Sequence, residues 1–411
     1  MTFRKFIFWL HLVVGLVAGV VIAIMSFTGA TLAFEKEIIA FAERDVRHIS
    51  GPPSAHMPQS ASSSARPSPS GLSIEELERL TRAAAPTARL TAIVVSSDPN
   101  VAVAFLAGRD GGFYADPLTG DVRSQGAPRI RAFMRTMTDW HRWLALDGPR
   151  RPLGKAVTGV SNAAFLFLAL SGLWLWWPRK WRTKGLARSL IIVPTATGKA
   201  RDWNWHNVIG FWSLPVLLVL TASGLVISYR WAGDIVYRLA GETPPAPGAV
   251  ATVNPVPSVP PPLTANATSP LTHTALFTAA QRQFPAWETI TLRLPAASSE
   301  TPGSKARDIP PAVFTVKLPG TWPRTAATTL TLDPFTGNPL KTETFADLST
   351  GRRARTWLRF LHTGEALGWP GQVLAGLASL GACVLVYTGF ALAWHRFFIR
   401  SQEKILPPTV K

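Results

Sequence analysis

Eight histidines occur in the 411 residues, and five of them stand at the edges of long apolar runs. His11, His206 and His395 mark the ends of runs that adjoin Lys and Arg, whereas His141 and His362 lie just before the second and fourth runs. Ionisable groups so placed mark a transport path, a proton relay or a ligand site. The runs hold no Asp or Glu between their ends, which argues against a proton or ion carrier. Zinc recruits Cys, carboxylate or several clustered His, and no such cluster occurs. Haem iron suits the pattern better, because two imidazoles from different helices can bind it axially. Small residues would let a flat macrocycle approach the backbone: Gly15, Ala18, Gly19 and Gly29 in the first run, Gly210, Ala222 and Gly224 in the third. Arg142, Arg359, Arg396 and Arg201 are placed either to pair with propionates or to meet headgroups and solvent. His48, His56 and His273 fall in outer loops and carry no assignment.

The elements that must position these histidines are membrane helices. The chain is 47% hydrophobic and only 16% charged, against about a quarter charged in soluble domains. Phe6–Phe34, Ala156–Trp177, Asn207–Tyr229 and Gly371–Phe398 each exceed the roughly 18–20 residues a spanning helix needs. The reading is a membrane α-helical protein with four transmembrane helices, which excludes soluble enzymes and free nucleic-acid binders. The net charge of +18 sorts by segment: +2 before the first run, +6 between Pro178 and His206, +3 after Trp394, and +7 over the two long connections. Short cationic loops stay in the cytoplasm, so both termini and the 178–206 loop are expected inside. The basic excess then reports topology and contact with anionic membrane lipid, and nucleic acid is not a partner. Most of the sixteen Trp lie at run ends, as in an interfacial belt. The first run is about twice a signal-peptide core and lacks an A-x-A site, so a retained helix is expected. Cys383 is the only cysteine, which excludes disulfides, cysteine catalysis and iron–sulfur clusters.

The chain reads as an internal repeat. His11 is followed by Gly15 and Thr28-Gly29, and His206 by Gly210 and Ser223-Gly224, at the same offsets. Each outer segment holds an Asp-Pro-x-Thr-Gly turn, Asp116–Gly120 and Asp333–Gly337. Alternating stretches Val101–Leu106, Val313–Leu318 and Thr328–Leu332 read as strands, and Ile74–Ala84 and Thr274–Gln283 as short amphipathic helices. A basic segment ending in His141 or His362 precedes a re-entering helix that carries Ser171-Gly172 or Thr388-Gly389. The expected division is helix 1–34, outer α+β domain with surface helix 35–150, helix 151–177, cytoplasmic loop 178–205, helix 206–229, second outer domain with surface helix 230–369, helix 370–399 and tail 400–411. Ser/Pro-rich 50–70 and Pro-rich 244–262 read as linkers. The two repeats are parallel, so their pseudo-two-fold axis is expected along the membrane normal.

Symmetry makes His141–His362 the outer pair and His11–His206 the inner pair of ligands. His395 breaks it, since its counterpart falls near Pro178. It could replace an inner ligand, bind a third haem, or line a donor site. Without a C-x-x-C-H motif the haem is expected to be b-type, about two per chain from the two pairs.

Trp9-Leu10-His11-x-x-x-Gly15, the two Asp-Pro-x-Thr-Gly turns, and the Trp140-His141 and Leu361-His362 approaches follow in an order that resembles the PepSY-associated transmembrane family, over nearly the whole chain. The resemblance implies two PepSY-like periplasmic domains on a bacterial inner-membrane protein with b-type haem. It further implies a ferric-siderophore reductase that releases iron in the periplasm by one-electron reduction. No G-x-G-x-x-G occurs and the inner loop is too short for a flavin or nicotinamide domain, so a quinol or a separate cytoplasmic reductase is the expected donor. A non-redox sensor or regulator and a siderophore permease are the alternative readings.

Overall fold

The computed structural model describes residues 2–49, 71–108, 111–177, 189–246, 269–295 and 309–399. The 50–70 linker, most of the 244–262 linker, Pro178 and much of its loop, His56 and the 400–411 tail lie outside the described residues.

In chain order the elements are α1 (Phe3–Leu32), α2 (Glu35–Ala42), α3 (Arg44–Arg47) and α4 (Ile74–Ala84), then β1 (Leu90–Ser96), β2 (Val103–Ala107), β3 (Gly111–Ala115) and β4 (Val122–Ser124). α5 (Pro128–Trp143), α6 (Arg151–Trp176), α7 (Gly198–Ser228), α8 (Arg230–Leu239) and α9 (His273–Gln283) follow. The chain continues through β5 (Thr289–Arg293), β6 (Ala312–Lys317), β7 (Thr328–Leu332), β8 (Pro339–Glu343), α10 (Thr350–His362) and α11 (Trp369–Trp394). These elements divide into two compact units. Met1–Glu35, Ala132–Pro244 and Thr350–Lys411 make a helical unit, and Lys36–Arg131 with Pro245–Ser349 make a sheet unit.

Four helices of the first unit are long and apolar enough to cross a membrane: Phe3–Leu32, Gly148–Trp176, Gly198–Ser228 and Trp369–Phe398. α1 packs on α6 and α11, and α7 packs on the same two, closing a ring. Lipid tails give apolar side chains no reason to prefer a neighbouring helix, so small residues and side-chain hydrogen bonds set the contacts. The buried faces follow that rule: Ala18, Gly19, Ser26, Thr28 and Ala30 on α1, and Gly154, Thr158, Gly159, Ser161 and Ser171 on α6. Larger side chains such as Val17, Val20, Phe27, Val160 and Leu377 face outward.

The second unit departs from expectation. The two segments read as separate domains share one eight-stranded antiparallel sheet, ordered β4-β3-β2-β1-β5-β6-β7-β8. β1 pairs with β5 in continuous register, from Ala92 opposite Arg293 to Ser96 opposite Thr289. Each half alone would leave that strand as an open apolar edge, and the pairing removes both edges at once. Ile93, Phe105, Phe277, Ile290, Phe314, Leu330 and Leu332 form one buried core spanning both halves.

The Asp-Pro-x-Thr-Gly motifs explain themselves as turns. Asp116 Oδ1 accepts from the backbone N–H of Leu118 (2.8 Å) and Thr119, and Gly120 sits at φ +76°. Asp333 Oδ1 accepts from Phe335 (2.8 Å) and Thr336, with Gly337 at φ +71°. Only glycine takes that left-handed position without strain.

α4 and α9 are clasped across the two halves. The Glu75 carboxylate accepts from the Thr274 backbone (2.7 Å) and hydroxyl (2.6 Å), and His273 Nδ1 donates to Glu78 (2.9 Å), which also takes Arg82. The Glu78 bond lifts His273 above its ordinary 6.5 while burial opposes it, and the His273 bond holds Glu78 below its ordinary 4.5. His273 therefore contributes stability below pH 6.5 that is lost as pH rises through its raised folded value. Glu78 contributes above pH 4.5 and loses its share as pH falls through its depressed folded value. The expected result is that Glu78→Gln costs most between those limits, about 1 kcal/mol or less, and that the cost shrinks in alkaline buffer. Unfolding midpoints of both proteins across pH 4–9 check it, and a pH-independent difference would refute it.

Candidate functional site

Each of the four paired histidines is carried on one helix and held by a different transmembrane helix. His141 lies two residues before the end of α5, and His362 is the last residue of α10. The exits of both surface helices are fixed by glycine: a side chain at Gly154 would collide with the Trp143 carbonyl, and one at Gly371 with the Gly364 carbonyl. The Thr158 hydroxyl donates to the Arg142 carbonyl at 3.0 Å, tying the end of α5 to α6. At its start, α10 is anchored by the Gly351 N–H donating to Glu242 at 2.9 Å.

At the end of the ring where α1 and α7 begin, His11 Nδ1 is 2.8 Å from Ser171 Oγ of α6. There too His206 Nδ1 is 2.9 Å from Thr388 Oγ1 of α11. His11 and His206 are within electrostatic reach of each other. At the opposite end, His141 Nδ1 meets Thr28 Oγ1 (3.1 Å) and the Met25 carbonyl (2.9 Å) of α1. His362 Nδ1 meets Ser223 Oγ (3.1 Å) and the Leu220 carbonyl (2.9 Å) of α7. Along α1 the step from His11 to Thr28 is 17 residues, as is that from His206 to Ser223 along α7, about 25 Å of helix.

The glycine after each hydroxyl residue lies against the same imidazole. A Cβ at Gly29 would stand 3.2 Å from His141 Cε1, at Gly224 3.2 Å from His362 Cε1, at Gly172 3.5 Å from His11 Cε1 and at Gly389 3.7 Å from His206 Cε1. Every spanning helix thus carries one Ser/Thr-Gly seat for one histidine.

The His141 and His362 rings have centroids 6.3 Å apart and planes at 57°. With Nδ1 of both engaged by α1 and α7, the unengaged nitrogen of each ring is Nε2. A metal between two such nitrogens, were both turned toward it, would need two bonds of about 2 Å each plus the two ring radii, a length compatible with the 6.3 Å between centroids. His141 and His362 are the residues at this end that would hold an iron between two imidazoles.

His395, the histidine outside the two symmetric pairs, meets a carboxylate near the start of α7. Its Nε2 is 3.9 Å from Asp202 Oδ2, a buried carboxylate that also takes Arg201 at 2.9 Å and lies one helical turn before His206. Of the other arginines considered for propionates, Arg142 lies over Trp143 (4.6 Å), Arg359 over Phe360 (5.7 Å), and Arg396 over Phe8 and Trp9 (4.9 and 5.0 Å).

The residues missing from the sequence assignment are the four hydroxyls. Their signal is present as Thr28-Gly29, Ser171-Gly172, Ser223-Gly224 and Thr388-Gly389, which mark the alignment of the repeats. Which histidine each one holds emerges only when the helices are placed side by side.

Comparison with curated proteins finds no match to the chain. The family described as the PepSY-associated TM region matches residues 8–396, a stretch that contains all four seats and all five membrane-edge histidines. The chain belongs to the PepSY-associated TM region family.

Proposed function

We propose that the chain is a b-haem oxidoreductase of the bacterial inner membrane that moves electrons outward to a periplasmic ferric siderophore. The observation that carries this reading is the His141–His362 pair, two rings 6.3 Å apart with both Nδ1 atoms anchored. His141 and His362 would hold one haem, and His11 and His206 a second. A haem iron bound there would supply one-electron exchange. The chain's part is to keep each imidazole aimed, to keep the seats dry, and to set the two pairs about 25 Å apart along α1 and α7, one near each face.

Sidedness follows from charge. Arg4 and Lys5 stand in the first turn of α1, before its apolar stretch, and seven Lys or Arg lie between Pro178 and His206, so the His11–His206 end is assigned to the cytoplasm. The donor is a quinol or a separate reductase on that side. At the periplasmic end the acceptor gains one electron per iron, Fe(III) chelate to Fe(II) chelate, and hard oxygen donors hold the product less tightly. Arg135, Arg352, Arg353 and Arg355 on α5 and α10 give this end a positive field suited to an anionic or oxygen-rich chelate. Arg131, the other arginine of that cluster, is committed to the buried Glu43 (2.8 Å).

Dithionite-reduced protein mixed anaerobically with a ferric hydroxamate chelate is expected to reoxidise, with Fe(II) trapped by ferrozine. His362→Ala should slow this even where the other haem remains reducible. A reduced spectrum unchanged by ferric chelates but oxidised by another periplasmic acceptor would end the siderophore assignment.

A further inference from the structure

We propose that Thr28, Ser171, Ser223 and Thr388 are positioning residues that fix each histidine as the Nδ1–H tautomer and leave Nε2 bare to face the iron. The proposal rests on the haem reading.

The argument is a count of protons. A Ser or Thr hydroxyl has one proton to donate and two lone pairs to accept with. In all four seats that proton is directed at the helix's own carbonyl four residues back. Thr28 donates to Ile24 O at 2.7 Å, Ser171 to Phe167 O at 2.7 Å, Thr388 to Val384 O at 2.8 Å, and Ser223 to Val219 O. Such back-bonding occupies the donor and leaves the oxygen able only to accept. The nearby Nδ1 must then be the donor, so the proton of the neutral imidazole resides there and the Nε2 lone pair is open.

At the periplasmic pair a second observation demands the same tautomer. His141 Nδ1 is 2.9 Å from Met25 O and His362 Nδ1 is 2.9 Å from Leu220 O. A carbonyl cannot donate, so Nδ1–H is again the only consistent assignment. The glycine that follows each hydroxyl lets the ring lie against the helix, and a helix-interior glycine otherwise costs about 1 kcal/mol relative to alanine. The seat is therefore a unit of two residues with two tasks, room from the glycine and proton placement from the hydroxyl.

Acceptors on the far nitrogen raise the basicity of a ligating imidazole and hold its plane. Losing one should weaken retention of that haem about 10–100-fold and shift its midpoint potential upward, because a less basic ligand favours ferric iron less. Thr28→Val and Thr388→Val remove the hydroxyl acceptor at nearly constant shape, one in each pair, leaving the Met25 carbonyl as the remaining acceptor at His141, and Thr28→Ser and Thr388→Ser restore the hydroxyl. The test uses the purified full-length protein loaded with haem, reading transfer of haem to excess apomyoglobin, redox titration and the electron paramagnetic resonance of the oxidised form. Each valine variant is expected to release one haem faster and to shift its potential and its low-spin signal, leaving the other haem as in wild type. Each serine variant should match wild type. Haem-replete wild type whose valine and serine variants are indistinguishable from it overturns this proposal alone. Valine and serine variants that lose haem equally would also overturn it, since shape rather than the hydroxyl would then be at work. Wild type that takes up no b haem overturns the haem reading and this proposal with it.

Discussion

Alanine at His141 and alanine at His362 are expected to remove the same haem, reducing the content from about two b haems per chain to about one. Alanine at His11 and alanine at His206 should remove the other. The reason is geometric: one iron needs both imidazoles, and the 6.3 Å between the His141 and His362 centroids leaves no room for two independent sites. A double variant within a pair should therefore lose no more haem than either single variant, whereas one drawn from both pairs should lose all of it. His395 is the informative control. Its Nε2 lies 3.9 Å from the Asp202 carboxylate, and with both haems held by the symmetric pairs His395→Ala should leave both in place. Haem quantification on the five variants decides the matter. If His395→Ala abolishes a haem that His11→Ala leaves intact, the cytoplasmic pairing is wrong.

The second large effect is on stability, in the sheet unit. The Glu43 side chain is 0% exposed, accepts from Arg131 Nε and Nη2 and from Tyr114 Oη (3.0 Å), and has Arg47 at 3.5 Å. Removing one partner of a buried ion pair strands the other charge and costs about 3–5 kcal/mol. Because the arginines left behind are partly exposed, Arg131 at 21% and Arg47 at 37%, Glu43→Ala should fall toward the lower end of that range, measured by denaturant unfolding followed by hydrogen exchange of β3 amides. Replacing Glu43, Arg131 and Arg47 together with apolar residues of similar volume should cost far less, because no charge is then left without its partner. A Glu43→Ala protein within about 1 kcal/mol of wild type would show that solvent reaches the carboxylate.

How much of this was legible beforehand differs by element. The spans and the surface helices announce themselves through local pattern: α4 runs Ile74–Ala84 as read from its amphipathic spacing, and α10 ends on His362. The Asp-Pro-x-Thr-Gly turns are equally local. The joining of β1 to β5 is not, because Val94 and Thr291 are some two hundred residues apart and an apolar strand such as Leu90–Ser96 does not name its partner. β1, β3, β4, β5 and β8 lie outside the strands read from sequence: Gly111–Ala115 and Val122–Ser124 are short and lack alternation, whereas Thr289–Arg293 does alternate and carries the signal. At the site, the histidines were visible from their type and position, while the hydroxyls that hold them were visible only as dipeptides. A serine facing a helix neighbour and a serine facing lipid look the same in sequence. Their difference is a contact between α6 and α1, or α11 and α7, that only the folded ring supplies.

The most direct measurement is the dithionite-reduced minus oxidised spectrum of the purified protein, with pyridine haemochrome quantification after expression in haem-replete cells. The account predicts low-spin b-type haem at about two per chain, not covalently attached. Protein that is colourless, or that stays well below one haem per chain when haem is supplied, would contradict it.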